Sequence, residues 1–381
     1  MRIRKPINIF VLLLVCFSCI DEYPLDIRSY ENLLVIDGMI TNQPGPYTVR
    51  LSRSASIDYP VFDPVINAKI IIEDNHGNNE QLTEIDDGIY ATAPDGMQGV
   101  SDRSYRLKLE LADGTKYESP YQRMNGSVGI DSVYAKIEYR ETSDPDYDLV
   151  GYQFYLNSSP SVNDTVYYLW QLEETWEFNS DFTLDYIYEG TISPSGNPYK
   201  FYTCWTTKKI PEINCFSTLN QASPQVADYP LTYVSTQSKR LSIRYSLLTR
   251  QLTISKEAYK FWNDVKQQIS DNELLFDQQP FQIRGNLHNV NEPDEPVMGY
   301  FTVAGTSEKR IFVNRPLFVD FDYPVCFPET DLRKLAYTPP RYWPIYLVDT
   351  KDGMAIGEKS CFDCRMHDGS LEKPEFWTDA D

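Results

Sequence analysis

Hydrophobic and polar residues alternate with a period of two along most of this chain, the signature of strands with one buried face. In the first third the alternation predicts strands at 33–40, 47–53, 68–73, 88–92, 105–111 and 116–119. The last two are joined by Asp113-Gly114, a type I′ hairpin signal. Asp74-Asn75-His76-Gly77-Asn78-Asn79 lacks the alternate acidic ligands and distal Glu of a calcium loop, and reads as a hairpin turn. Short strands at this spacing predict an immunoglobulin-like β-sandwich over 31–125.

A Pro, Gly and Ser stretch at 119–129 marks a boundary, and 126–381 reads as a larger β-rich domain. Its expected strands are 130–139, 152–157, 166–178, 202–207, 231–235, 241–248, 251–254 and 310–313, with a Ser/Pro/Gly loop at 190–198. Between them the period changes to that of a helix near 255–270. Ser255 is the cap, Ala258, Phe261, Trp262, Val265 and Ile269 share one face, and Lys256, Glu257, Asp264 and Lys266 the other. Pro280 ends the helical region, 281–287 alternates as a strand, and 297–304 follows a Pro-bounded turn as another. Beyond Arg315 the chain is irregular and Pro-rich up to a cysteine-containing end. The fold class is therefore mainly all-β: a sandwich, then a β-rich domain carrying one amphipathic helix packed into its core.

The N-terminus departs from both periods. Arg2, Arg4 and Lys5 precede an apolar run, Ile9 to Phe17, too short to span a bilayer, which reads as a signal peptide over 1–18. Cys19, with Ser18 before it and Leu14 upstream, resembles the lipidated cysteine of a bacterial lipobox. Cys16 is the alternative lipidation position, and ordinary secretory cleavage the alternative process. Asp21 and Glu22 resemble the acidic export signal that sends lipoproteins of Bacteroidota to the outer face of the outer membrane. Residues 19–30 would then be a lipidated tether, and the membrane would be met through that lipid alone.

Composition sharpens this picture in two respects. The 381 residues include 28 Tyr and 25 Pro, which favours strands and turns, and the net charge of −20 repels phosphates, so nucleic acid is not an expected partner. Cys204, Cys215, Cys326, Cys361 and Cys364 suit an oxidising compartment. Cys204 and Cys215 are spaced to close a short loop, Cys326 can pair with either later cysteine, and an odd number leaves one thiol over. Cys361-Phe362-Asp363-Cys364 lacks the helix signal of a redox site and the extra ligands of a zinc site, so a structural staple is expected.

Candidate chemistry is sparse. With only His76, His288 and His367, and no HExxH, GxSxG or phosphate-loop motif, no catalytic residue, metal or cofactor is assigned. Carboxylates such as Glu173, Glu174, Asp294 and Glu295 leave a glycan hydrolase open, since that reaction needs only two of them. In Trp170-Gln171-Leu172-Glu173-Glu174-Thr175-Trp176, alternation puts Trp170, Leu172, Glu174 and Trp176 on one face. Trp170 and Trp176 are candidates for stacking a ligand, with core packing the competing role.

In order, these features resemble a Bacteroidota lipoprotein family, domain of unknown function 4249. The likeness is carried by Cys19 with Ile20-Asp21-Glu22, Leu34-Val35-Ile36-Asp37-Gly38, Asp87-Gly88-Ile89-Tyr90, Tyr105-Arg106-Leu107 and Cys204-Trp205. It continues through the helix at Tyr259 to Trp262, then Leu275-Phe276-Asp277, Gly285-Asn286, Gly299-Tyr300-Phe301 and the ending Cys361 to Trp377. The resemblance implies an envelope lipoprotein encoded beside TonB-dependent outer-membrane receptors, and it supplies no catalytic residues. The expected function is a surface-exposed, non-enzymatic accessory or ligand-capturing partner of such a receptor. An envelope glycan hydrolase and a structural or adhesive lipoprotein are the alternatives.

Overall fold

The computed structural model describes residues 32–55, 62–143, 147–161, 164–219, 221, 223–271 and 283–378. The fold is mainly all-β, built around one large sheet whose two faces carry different partners. From the first part of the chain come β1 (Leu34–Thr41), β2 (Thr48–Arg53), β3 (Lys69–Asp74), β4 (Ile89–Ala91), β5 (Ser104–Glu110) and β6 (Lys116–Glu118). The middle supplies β7 (Ser132–Glu141), β8 (Asp148–Ser158), β9 (Tyr167–Asn179), β10 (Thr203–Ser217), β11 (Val226–Ser235) and β12 (Arg244–Ile254). Helix α1 (Lys256–Asp271), β13 (Met298–Asn314), β14 (Ile345–Thr350) and β15 (Gly353–Gly357) follow.

Across the large sheet the order is β10-β9-β12-β13-β1-β2-β4, with the short strand Thr83–Asp86 at its edge. The 17-residue β13 is its seam. Residues 305–314 run antiparallel to β12, while 298–304 run parallel to β1. The N-terminal sandwich therefore takes a strand from far beyond residue 125, and Leu287, Val297, Phe301 and Val303 share its core with Leu34, Ile36, Ile72 and Leu107. Its second sheet is built on β3, β5 and β6, with the short strand His288–Asn289 against β6.

The other half of the large sheet packs its inner face on a three-stranded sheet, β7-β8-β11. Tyr168, Trp170, Leu172, Tyr245 and Leu247 meet Phe154, Leu156, Leu231 and Val234 there. Helix α1 lies on the opposite face, as its apolar stripe requires. The Ser255 hydroxyl accepts from the Ala258 amide at 3.1 Å, and Ala258, Phe261 and Trp262 pack on Leu169, Leu252, Ile254 and Tyr300. The stripe outruns its support, since Ile269 is 54% exposed.

Several local expectations are corrected. The part of 281–287 that is described, from Ile283, is not a strand; only His288–Asn289 pairs. Pro280 lies outside the described residues. In the hairpin after β5 only Gly114 has positive φ, at 87°, so the turn is not type I′, which needs two such residues. Asp113 instead accepts from the Thr115 amide at 2.8 Å and closes the turn with its side chain. The loop expected at 190–198 contains Ile192–Pro194, which pairs with Tyr186–Tyr188, and that strand joins β14 and β15 in a further sheet. Alternation is weak in these short edges, so distant partners decide them, Leu347 for Tyr186 and Tyr117 for Asn289.

Candidate functional site

The face of the large sheet that α1 leaves uncovered is concave. Two adjoining cavities of about 600 and 250 Å³ share Leu169, Gln171, Lys209, Arg250 and Trp262 and form one groove. The larger part reaches Asp37, Arg50 and Thr306, so strands from both ends of the sheet line it. Period-two geometry places these groups together. On β9 the odd residues Leu169, Gln171 and Glu173 face the groove while the even ones face the core, and the register pairs Gln171 with Arg250 and Asp37 with Arg50. Trp262 comes from the second turn of α1 and walls both parts.

Ion pairs fix part of the floor. Arg250 Nε stands 2.5 Å from Glu308 Oε1, and Arg310 3.2 Å from Glu173 Oε1, with the Phe376 ring stacked on the Arg310 guanidinium. Other groups are left over. Arg50 and Lys209 have no salt bridge among the described residues, yet both lie near Asp37. Asp37 is exposed at the surface of the groove, and desolvation by the surrounding protein pushes its pKa up, with Arg50 and Lys209 acting against that rise. Two buried polar atoms in the lining, Trp262 Nε1 and Thr306 Oγ1, have no hydrogen-bond partner, and Thr306 is only 3% exposed. They are two of ten such atoms among the described residues, and these two border the groove. A second cleft, about 830 Å³, lies between the start of α1, Tyr121 to Arg123 and Ile283 to Asn286.

Of the residues singled out by sequence, Glu173 lines the smaller part of the groove, and Trp170 borders it from the core side. Trp170 is 1% exposed, stacks on Tyr168 with centroids 5.5 Å apart, and donates to Gln251 Oε1 at 2.8 Å. Trp176 is half-buried beside Phe178. The face bearing Trp170 is thus the core face, where Glu174 accepts from Tyr245 at 2.9 Å and pairs with Arg240 at 3.2 Å. The groove belongs to Gln171 and Glu173, the polar set on the other side of the same strand. Glu295 is remote from both, accepting from Tyr117 at 2.9 Å in the sandwich; that phenol is pushed up to about 12, by burial first and by Glu295 second.

Among the cysteines, Cys326 bonds Cys361, one of the two pairings left open. Cys204 bonds Cys364 rather than Cys215, which is buried and free beneath α1. Spacing misleads here because Cys204 and Cys215 lie on one long strand, β10, which holds them extended and apart. His76 and His288 are exposed, and exposed His367 bonds the Ser360 carbonyl at 3.0 Å. Among the described residues no three His, Cys, Asp or Glu side chains stand together as a metal-ligand set, and no helix is long and apolar enough to cross a membrane. Cys19, Asp21 and Glu22 lie outside the described residues.

Sequence reasoning passed over Asp37, Arg50, Lys209, Arg250, Trp262 and Thr306 as site residues. Each sits on a different element, and only the sheet order brings them together. Comparison with known proteins gives a family match: the model described as "Domain of unknown function (DUF4249)" matches residues 20–310. No curated protein matches the chain. A crystal structure of a DUF4785 family protein from Legionella pneumophila is similar over 57% of this chain at 8% identity, with a TM-score of 0.19. The aligned part spans about half of that structure's length, 51%.

Proposed function

The chain belongs to the DUF4249 family, and from that premise we propose that it is an outer-membrane lipoprotein, anchored through Cys19 and facing the cell exterior, which captures a ligand in the groove beneath Trp262. In this reading it acts by binding, as an accessory of a TonB-dependent receptor. The observation that carries the binding role is the groove itself. It is about 600 and 250 Å³ in its two parts, and mixed polar and apolar. Those volumes suit a ligand the size of a few sugar rings or a short peptide. The anchor is supported by the leader and by Cys19, and the receptor link by the family resemblance.

Two measurements test the reading. Incorporation of radiolabelled palmitate into the protein, and its loss in Cys19→Ala, is the expected result for the anchor; an unlabelled native protein would refute it. A tagged chain drawn from its native outer membrane in mild detergent is expected to bring one TonB-dependent receptor in stoichiometric amount. Recovery of the chain alone, with and without crosslinker, would refute the receptor partnership.

A further inference from the structure

Charge within the groove is not evenly spread. The lining of the larger part carries Arg50, Lys209 and Arg250 against Asp37 and Glu308, one positive charge in excess within a chain of net charge −20. Because Arg250 is tied to Glu308, that excess resides at Arg50 and Lys209, the cations near Asp37. In the smaller part the added charges are Glu173, tied to Arg310, and Glu212, both acidic. An anion is therefore favoured at one end of the groove and a neutral group at the other.

Next to the cations the lining offers hydrogen-bonding side chains. Thr306 Oγ1 lacks a partner in a residue 97% buried, Trp262 Nε1 is a buried donor without an acceptor, and Gln171 stands between them and the smaller part. In the larger part, where the cations lie, the floor is mostly the interior of a sheet. Its backbone N–H and C=O groups are spent on the β9, β12, β13 and β1 ladders. A peptide strand recognised through its main chain needs a free sheet edge, and the edge strand β10 enters this part of the lining only at Lys209. A ligand read only through side chains, rich in hydroxyls and bearing an acidic group, fits better.

We infer that the groove binds an acidic oligosaccharide, with a sugar carboxylate between Arg50 and Lys209, hydroxyls on Thr306 and Gln171, and a neutral residue against Trp262 in the smaller part. This assignment deepens the ligand-capture reading and rests on it. Charge-assisted contacts give the affinity at the acidic end, since each is stronger than a neutral hydrogen bond. The indole both presents an apolar surface to a sugar ring and donates from Nε1.

The test is an array of uronic-acid and sialic-acid oligosaccharides with neutral counterparts, probed with the detergent-purified full chain. Calorimetry follows on the tightest acidic probe, on its methyl ester and on a tri-glutamate peptide. The acidic glycan is expected to bind at least about 10-fold tighter than its ester. Arg50→Met with Lys209→Met is expected to abolish that preference while leaving the melting temperature unchanged. Trp262→Phe, which keeps an aromatic face of smaller area and removes the N–H, is expected to weaken acid and ester alike. No acidic glycan bound, an ester bound equally well, an unaltered preference in the double variant, or tri-glutamate bound as tightly would each overturn the assignment. Receptor recovery is scored separately, so a chain that captures its receptor and binds no acidic glycan refutes the ligand class and spares the partnership.

Discussion

Gly299 is the position where the seam of the large sheet is most exposed to a single methyl group. It pairs with Ile36 in the parallel β1–β13 register at φ 81°, and a Cβ built there falls 1.9 Å from the Ile36 carbonyl oxygen and 2.7 Å from its carbon. Both are backbone atoms, so no rotamer change relieves the clash. Gly299→Ala pays about 1–2 kcal/mol for an L residue in the left-handed region. It must also push β1 away from β13, weakening two or three ladder bonds at roughly 0.5–1.5 kcal/mol each. The expected loss is about 3–5 kcal/mol. Gly114→Ala is the internal control: its φ is 87°, but nothing lies within 4 Å of the added methyl, so only the first penalty of about 1–2 kcal/mol applies. Urea unfolding followed by far-UV circular dichroism reads both variants. If Gly299→Ala costs no more than Gly114→Ala, the seam is not held at this distance and the reasoning fails.

Three further outcomes are expected. Trp170→Ala removes a buried indole and leaves Gln251 Oε1 without its donor, so stability should fall by about 3–5 kcal/mol in urea unfolding; an effect under about 1 kcal/mol would mean that the ring is not a core residue. Replacing Cys204 and Cys364 by Ser opens a crosslink between residues 160 apart, which in the loop-entropy treatment contributes about 5 kcal/mol. The double variant should therefore melt well below the parent under non-reducing conditions, and an unchanged melting temperature would refute this. Glu73 is held at about 2 by Lys108, then Tyr121 and Arg106, against an ordinary 4.5. Because folding depresses this carboxyl, its stabilisation is present above pH 4.5 and is lost as pH falls from there through 2. Screening at this partly exposed site limits it to about 1 kcal/mol, and Glu73→Gln should flatten that part of the acid limb in a pH series of urea midpoints.

Much of the secondary structure was legible because its cause is local. Strands β1, β2, β3 and β5 alternate cleanly, and each lies within a residue or so of its expected bounds. The helix was legible at both levels, since Ser255 caps it and Ala258, Phe261 and Trp262 repeat at its period. Long strands look like pieces in the sequence: β12 crosses Leu248 to Gln251, and β13 runs from Met298 to Asn314, with alternation broken by polar residues that the sheet buries, Thr249 and Thr306 among them. Sheet pairing bridges those breaks through backbone bonds that no side-chain pattern records.

Local pattern sets the class of structure, the one long helix among the described residues, the family, and the segregation of each strand into two faces. It could not say which face of β9 met a core. Both Trp170 and Gln171 belong to an alternating strand, and only the three-stranded sheet packed against Trp170 turns Gln171 toward the groove. Disulfide partners and the gathering of Asp37, Arg50, Lys209, Arg250 and Trp262 were likewise decided in tertiary structure. These residues meet because β13 joins a sheet half begun at residue 34 to one completed at residue 254. The hydrophobic period encodes which residues seek burial; which strands lie side by side depends on the closure of the whole chain.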